Sequence, residues 1–320
     1  MSKNIEKDTW EFKQMVKIGI IGSGVVGTAT GKGFHKLGHA VSFYDISKQR
    51  LLTLREEGYE VVYSVKDVLA NSDITFICVN TPTDGDNGQQ DLSQLNSALF
   101  NIVNAINDGA VTRKKKDKNN RPHLLVFRST MLPGTMRNVV IDYLDRKVLG
   151  ASRGKDYDVC YNPEFLRQDT ALEDFFKPDR VVLGEETKGN SSALKSIYKQ
   201  LTENIITTTF DAAEMIKYAS NCFLSLKISF FNEIGMICKQ MGIDDSIVSS
   251  GVAADRRIGK YGTRAGKPFD GACLPKDTIA LASFAKRLQI SPDLLQVVLD
   301  INKKVGEMAE LQQQVYERLQ

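Results

Sequence analysis

The stretch from Val16 to Leu37 limits the possible folds more than any other part of the chain. Val16 to Ile21 is a short apolar run, Gly22-Ser23-Gly24-Val25-Val26-Gly27 follows at once, and a helical stretch then runs to Leu37. Strand, glycine turn and helix arrive in the order that a dinucleotide site needs. Gly22 permits the tight turn, Gly24 lets a pyrophosphate approach the backbone, and Gly27 lets the helix pack on the strand. Val25 and Val26 fall on the first turn, where the positive end of the helix faces phosphate charge. A second strand, Ala40 to Tyr44, ends in Asp45. That carboxylate suits the adenosine ribose hydroxyls and repels a 2'-phosphate, so the spacing favours NAD over NADP.

The alternation continues and predicts a doubly wound parallel sheet. Helices are expected over Ser47–Glu57 and Ser64–Ala70, and strands over Ile74–Val79, His123–Phe127, Tyr157–Tyr161, Arg180–Gly184 and Asn204–Phe210. Polar groups gather just after several of these strands, at the edge where ligands bind in open α/β sheets. Asn80-Thr81-Pro82-Thr83 is one such place, making Thr81 and Thr83 candidate cofactor contacts or members of an ordinary turn. Arg128-Ser129-Thr130 is another, and Asn162-Pro163-Glu164-Phe165-Leu166-Arg167 a third. Glu164 reads locally as a helix cap, with a general base as the other reading.

An all-helical half follows. Asp211 is expected to cap a helix running to about Met241, whose apolar positions spread around more than one face, as in a central helix packed on several sides. It carries Lys217 and Asn221, one turn apart on one face. A lysine head at a cavity with an amide beside it stabilises a developing alkoxide, and a snorkelling surface lysine is the alternative. Asp244–Ala254 and Asp293–Gln320 are further helices, and Arg256 to Phe269 is a glycine-rich basic loop suited to a phosphate-bearing ligand. That loop leads into Phe269-Asp270-Gly271-Ala272-Cys273-Leu274-Pro275-Lys276-Asp277. Pro275 suits the first turn of a helix, so Cys273 would sit near its positive end with Lys276 close by, and both influences favour a thiolate. Asp277 lies four residues on, placed to orient the thiol or a water. Cys273 is otherwise one more small buried residue.

Composition excludes several classes. Five scattered cysteines without CxxC spacing fit a reducing cytosol rather than a disulfide framework or a zinc site. His35, His39 and His123 are separated and show no metal-ligand spacing, so all three are expected to be structural or solvent-facing, and no metal is expected. A net charge of +3 argues for neither nucleic acid nor membrane. The basic insertion Thr112–Pro122 lacks interleaved aromatics and reads as a solvated loop. With no apolar run of membrane-spanning length and a polar, mixed-charge N-terminus, the expected location is cytoplasmic.

Taken together, the glycine turn, Asn80–Thr83, Arg128–Thr130, Asn162–Arg167, Pro178-Asp179-Arg180, Lys217 with Asn221, and Cys273–Asp277 resemble the UDP-glucose/GDP-mannose dehydrogenase family, in the family's order. The resemblance implies an α/β, Rossmann-type domain followed by an all-helical central domain. The expected divisions are a flexible tail over 1–15, an NAD-binding domain over 16–210 and a helical dimerisation and substrate domain over 211–320. It implies Cys273 as nucleophile, Lys217 and Asn221 at the oxyanion of C6, and Asp277, Glu164 and Thr130 positioning or activating water. NAD would be held by Gly22, Gly24, Val25, Val26, Gly27, Asp45, Thr81, Thr83 and Ser129. A nucleotide-sugar substrate would meet Phe165, Leu166, Arg167, Arg257 and Lys276.

The implied reaction oxidises a sugar C6 alcohol twice to the uronic acid, in polysaccharide biosynthesis, by a homodimer paired through the long helix. Three departures stand out. Gln168 replaces a common glutamate, Asp270 and Ala272 replace a common glycine and serine, and the family's further C-terminal α/β domain is not expected in this chain. The negative charge of Asp270 disfavours a diphosphate unless Arg257 or Lys267 compensates. Related short hydroxyacid dehydrogenases share the Lys and Asn one turn apart but lack the thiol. A single-step hydroxyacid dehydrogenase and a non-catalytic NAD-binding partner are therefore the competing readings.

Overall fold

A computed structural model of the chain describes residues 15–85, 87–111 and 121–318. Residues 1–14 of the expected N-terminal tail over 1–15, and most of the basic insertion (112–120), lie outside the described residues. The chain divides into two compact units that are not consecutive stretches. The first comprises Met1–Val79, Ser97–Ser129 and Asp142–Thr207, and the second comprises Asn80–Asn96, Thr130–Ile141 and Thr208–Gln320.

The first unit is built on an eight-stranded sheet in the order β3-β2-β1-β4-β5-β6-β7-β8. The strands are β1 (Lys17–Ile21), β2 (Ala40–Tyr44), β3 (Glu60–Val61), β4 (Ile74–Ile77), β5 (His123–Phe127), β6 (Tyr157–Tyr161), β7 (Val181–Gly184) and β8 (Ile205–Thr208). From β3 to β6 every pairing is parallel, and β7 then turns antiparallel to β6 with Tyr161 opposite Gly184. The central strands read as near-continuous apolar runs because helices cover both faces, leaving Ile20, Phe76, Leu125 and Val126 wholly buried. The sequence pattern missed the two-residue β3, whose length is too short to show alternation, and the reversal at β7.

Helices α1 (Val25–Lys36), α2 (Lys48–Glu56) and α3 (Val65–Ala70) alternate with the first strands, followed by α4 (Ser93–Asn107), α5 (Asp142–Lys147), α6 (Ala171–Phe176) and α7 (Ser192–Tyr198). Phe34 of α1 meets Phe76, Phe175 and Tyr198 at ring-centroid separations of 5.5, 4.9 and 5.4 Å, so one aromatic cluster ties α1, α6 and α7 to the sheet. Such contacts add about 0.5–1.5 kcal/mol per pair beyond area burial. Asp142 of α5 follows directly on a π-helical stretch, Met136–Ile141.

The second unit is organised by α8 (Phe210–Met241), 32 residues and about 48 Å long at 1.5 Å per residue. Its N-cap is Thr209, whose hydroxyl accepts from the Ala212 amide, rather than the expected Asp211. Asp211 instead sits in the first turn and pairs with Arg137 at 2.9 Å. The expected strand accordingly ends at Thr208 rather than Phe210. The helix stops at Gly242, left-handed at φ 69°, with the Ile243 amide returning to the Cys238 carbonyl. Helices α9 (Asp245–Ala253), α10 (Leu274–Arg287) and α11 (Asp293–Arg318) complete the unit, with α10 and α11 both packed on α8. No helix among the described residues is long and apolar enough to cross a membrane.

Candidate active site

In the first unit, the glycine turn joins β1 to α1 as the spacing requires. Gly22 takes φ 91°, a conformation that disfavours any side chain, and a Cβ there would meet the Cys78 carbonyl oxygen at 2.7 Å. A Cβ on Gly27 would lie 1.9 Å from the Gly22 carbonyl oxygen, so only glycine lets α1 start this close to the strand. Gly24, the N-cap of α1, has nothing within 4 Å of a Cβ position. The start of α1 thus offers helical amides beside open space, which fits a pyrophosphate. Val25 is exposed and Val26 partly buried on that first turn. Asp45, buried at the end of β2, accepts from the Ser23 amide at 2.6 Å and the Ser47 amide at 2.8 Å. The carboxylate therefore also braces the glycine turn, with the Arg50 guanidinium 3.4 Å away.

At the carboxyl ends of β5 and β6 the first unit buries a polar network. Arg128 donates to the Asn162 side-chain oxygen and, at 3.2 Å, to the Tyr198 hydroxyl, and Tyr198 donates to the same Asn162 oxygen at 2.8 Å. Burial pushes the neighbouring Cys78 thiol up to about 12, the nearby Arg128 charge opposing. The Ser129 hydroxyl donates to the Val79 carbonyl at 2.6 Å. Glu164 is buried and accepts from the Leu166 amide at 2.6 Å. It therefore braces its own turn rather than capping a helix, since the N-cap of the next helical turn is Arg167. Phe165 lies under the Arg180 guanidinium, 4.0 Å from ring centroid to Cζ. Arg167 is tied to Asp174 through its backbone amide and its guanidinium. The guanidinium holds the Asp174 carboxyl below the usual carboxylate range, although burial opposes this.

The second unit contains Cys273, Lys276, Asp277, Lys217 and Asn221, and joins Asp277 to both Asn221 and Lys276. Cys273 is the N-cap of α10 and is exposed, with Pro275 in the first turn as the sequence implied. The other four cysteines are buried, and burial pushes Cys222 up to about 12 and Cys160 well above the usual thiol range. Among the five, Cys273 alone combines exposure with a helix N-terminus. Asp277 is fully buried. Its carboxylate accepts from the Asn221 side-chain amide at 2.6 Å and from the Lys276 ammonium. Lys217 is buried one turn before Asn221, so a cation and an amide share one face of α8.

Thr130 belongs to this second unit. Its carbonyl accepts from the Thr81 hydroxyl at 2.5 Å and from the Gln90 amide at 2.8 Å. Gln90 also donates to the Tyr218 hydroxyl and accepts from the Leu132 amide. Thr83 pairs antiparallel with Gln90, its hydroxyl buried without a hydrogen-bond partner among the described residues. Glu214, one turn before Lys217, accepts from the Gly134 and Met136 amides, both at 2.7 Å. Burial pushes its carboxyl up to about 8 against those two hydrogen bonds. Arg257 is engaged at the surface by Asp255.

Sequence reasoning missed Gln90, Glu214 and Tyr218. Only Glu214 carried a signal, as an ionisable residue one helical turn from Lys217 on an apolar helix. Among the described residues no cluster of three or more His, Cys, Asp or Glu could hold a metal ion.

Residues 211–304 match the central domain of the UDP-glucose/GDP-mannose dehydrogenase family, and residues 55–202 match that family's NAD binding domain. Residues 4–100 also match the NAD binding domain of D-isomer specific 2-hydroxyacid dehydrogenases. Over 312 residues the chain is 35% identical to UDP-glucose 6-dehydrogenase from Rickettsia bellii, covering 90% of this chain and 67% of that relative. It is 34% identical over 316 residues to GDP-mannose 6-dehydrogenase from Pseudomonas aeruginosa, covering 92% and 70%. Its fold matches that of a UDP-glucose dehydrogenase from the hyperthermophilic archaeon Pyrobaculum islandicum with a TM-score of 0.80 at 33% identity, over 92% of this chain and 70% of that one. The chain thus spans about two thirds of the length of these relatives. By sequence and by fold it belongs to the UDP-glucose/GDP-mannose dehydrogenase family.

Proposed function

We propose that the protein is an NAD-dependent nucleotide-sugar 6-dehydrogenase that converts a sugar C6 alcohol to the uronic acid through a thioester on Cys273. The observation that carries the reading is the buried Asp277 carboxylate of α10, which ties Asn221 of α8 to the helix that presents the exposed Cys273 and pairs with Lys276 beside it. NAD, when bound, takes up a hydride from C6 in each of two rounds, and the open start of α1 with Asp45 behind it fits that cofactor. Gly22, Gly24, Val25, Val26, Gly27, Asp45, Thr81, Thr83 and Ser129 are the residues proposed to hold it.

The chain's own groups supply the rest. The first oxidation leaves an aldehyde at C6 and releases the hydroxyl proton. The Cys273 thiolate adds to that carbon, forming a C–S bond and an oxyanion. An asparagine amide has two N–H donors, and Asn221 spends one on Asp277, leaving the other for that oxyanion beside the Lys217 ammonium. Loss of the second hydride leaves a thioester. Water positioned by Thr130, Glu164 or Asp277 attacks it, the C–S bond breaks, and the thiolate is regenerated with the uronate. The alcohol thus loses two hydrides and gains one water oxygen, with three protons released.

Phe165, Leu166, Arg167, Arg257 and Lys276 are proposed for the substrate, residues 16–210 for the NAD-binding domain and 211–320 for a dimerisation and substrate domain. A homodimer through α8 is supported by Phe223, Phe230 and Ile237, exposed apolar residues seven positions apart on that helix. The test is NADH production across a panel of sugar nucleotides. Two NADH per uronate, lost in Cys273→Ser, supports the reading. One NADH per turnover, indifferent to that change, points to a single-step dehydrogenase, and NAD binding without turnover to a non-catalytic partner.

A further inference from the structure

The basic loop that leads into Cys273 is held along α8 and α11 by side chains that do the work of a neighbouring strand. Lys227 of α8 donates to the Ile258 and Gly259 carbonyls. Farther along, buried Asn232 accepts from the Gly266 amide at 2.8 Å and donates to the Lys267 carbonyl at 2.8 Å. Gly235 lies one turn beyond Asn232, and a Cβ there would sit 2.3 Å from the Ala265 Cβ, so the loop rests on the helix at that point. On α11, Asn302 accepts from the Phe269 amide at 2.7 Å and donates to the Phe269 carbonyl at 3.0 Å. Each asparagine engages one backbone N–H and one C=O, the pairing that a β-ladder would supply. Phe269 is buried, and four residues later Cys273 caps the start of α10.

We infer that Asn302 and Asn232 are positioning residues for the thiol: by templating the backbone from Ala265 to Phe269 they set where Cys273 meets the N-terminus of α10. The inference rests on the reading of Cys273 as nucleophile and adds the residues that aim it. A thiol gains thiolate character from a helix N-terminus only while it stays at that end, because the effect fades within one turn. Asn302→Leu removes both hydrogen bonds to Phe269 and leaves the preceding stretch held from α8 alone, through Asn232 and Lys227. Gly235→Ala disturbs the same loop from the other side, through Ala265, while favouring the helix itself.

The experiment is mass-spectrometric alkylation of each cysteine by iodoacetamide against pH, on the intact chain without sugar. In both variants Cys273 is expected to react about threefold more slowly at neutral pH, with its pH–rate curve moved toward that of an ordinary thiol. The four buried cysteines are expected to stay as protected as in the wild type. A Cys273 curve that superimposes on the wild type overturns the inference, and so does one that moves only together with exposure of the buried thiols. Because no substrate is used, failure here is separate from failure of the enzymatic reading, which turnover of Cys273→Ser decides.

Discussion

The Asn221 side-chain amide donates to the Asp277 carboxylate at 2.6 Å, joining two helices across 56 positions of sequence. The bond converts a fully buried negative charge, already paired with Lys276, into a brace for an amide that neighbours Lys217 on α8. Removing the carboxylate in Asp277→Ala strands both partners, at a cost of about 3 kcal/mol. Asp277→Asn keeps the shape and lowers NADH production by about 100-fold or more with a smaller loss in thermal midpoint. Thermal melts beside initial rates distinguish the two effects.

Two glycines of the nucleotide turn separate binding from folding. Gly24→Ala meets open space and leaves the thermal midpoint within a degree or two of wild type, while weakening NAD at least about tenfold, because the methyl occupies the approach of the pyrophosphate. Gly27→Ala drives a methyl into the Gly22 carbonyl and destabilises the first unit by about 2 kcal/mol or more. Calorimetric titration with NAD and melting curves of both variants check the pair.

Stability depends on pH through two buried groups with opposite signs. Burial pushes Glu214 from 4.5 to about 8, so between those values the folded state holds more protons than the unfolded one and stability falls as pH rises. Burial pushes His123 from 6.5 down to about 4, so the unfolded state binds the extra proton and stability falls as pH drops through that window. Glu214→Gln should remove the fall in stability between pH 4.5 and about 8, and His123→Gln the opposing rise between about 4 and 6.5. Urea titrations at half-unit intervals read both.

The local backbone features that carry the candidate site residues were largely legible in the sequence, because each is set by its near neighbours. The glycine turn with Asp45 is set by spacing over some two dozen residues, and the Cys273-Leu274-Pro275 start of α10 by the fixed backbone of proline. What the sequence did not reveal depends on long-range pairing. Gln90 reaches Tyr218 across 128 positions, and Glu214 reaches Met136 across 78, so neither has a local signature. The cap of α8 was misassigned for a different reason: Thr209 and Asp211 are both capping residues, and only the backbone, extended at Thr209, decides between them.

The proposed homodimer through α8 makes a separate prediction. Phe230→Glu places charge on an exposed apolar face and should not alter the fold of the protomer, but it should halve the mass in sedimentation equilibrium. A mass unchanged by the substitution would place any self-association elsewhere.

The most direct test of the account is the ratio of NADH to uronate with a turned-over sugar nucleotide, measured for the wild type and for Cys273→Ser. The account predicts two NADH per uronate in the wild type and almost no uronate from the variant. A ratio of one, or a variant that releases uronate at the wild-type rate, would contradict it.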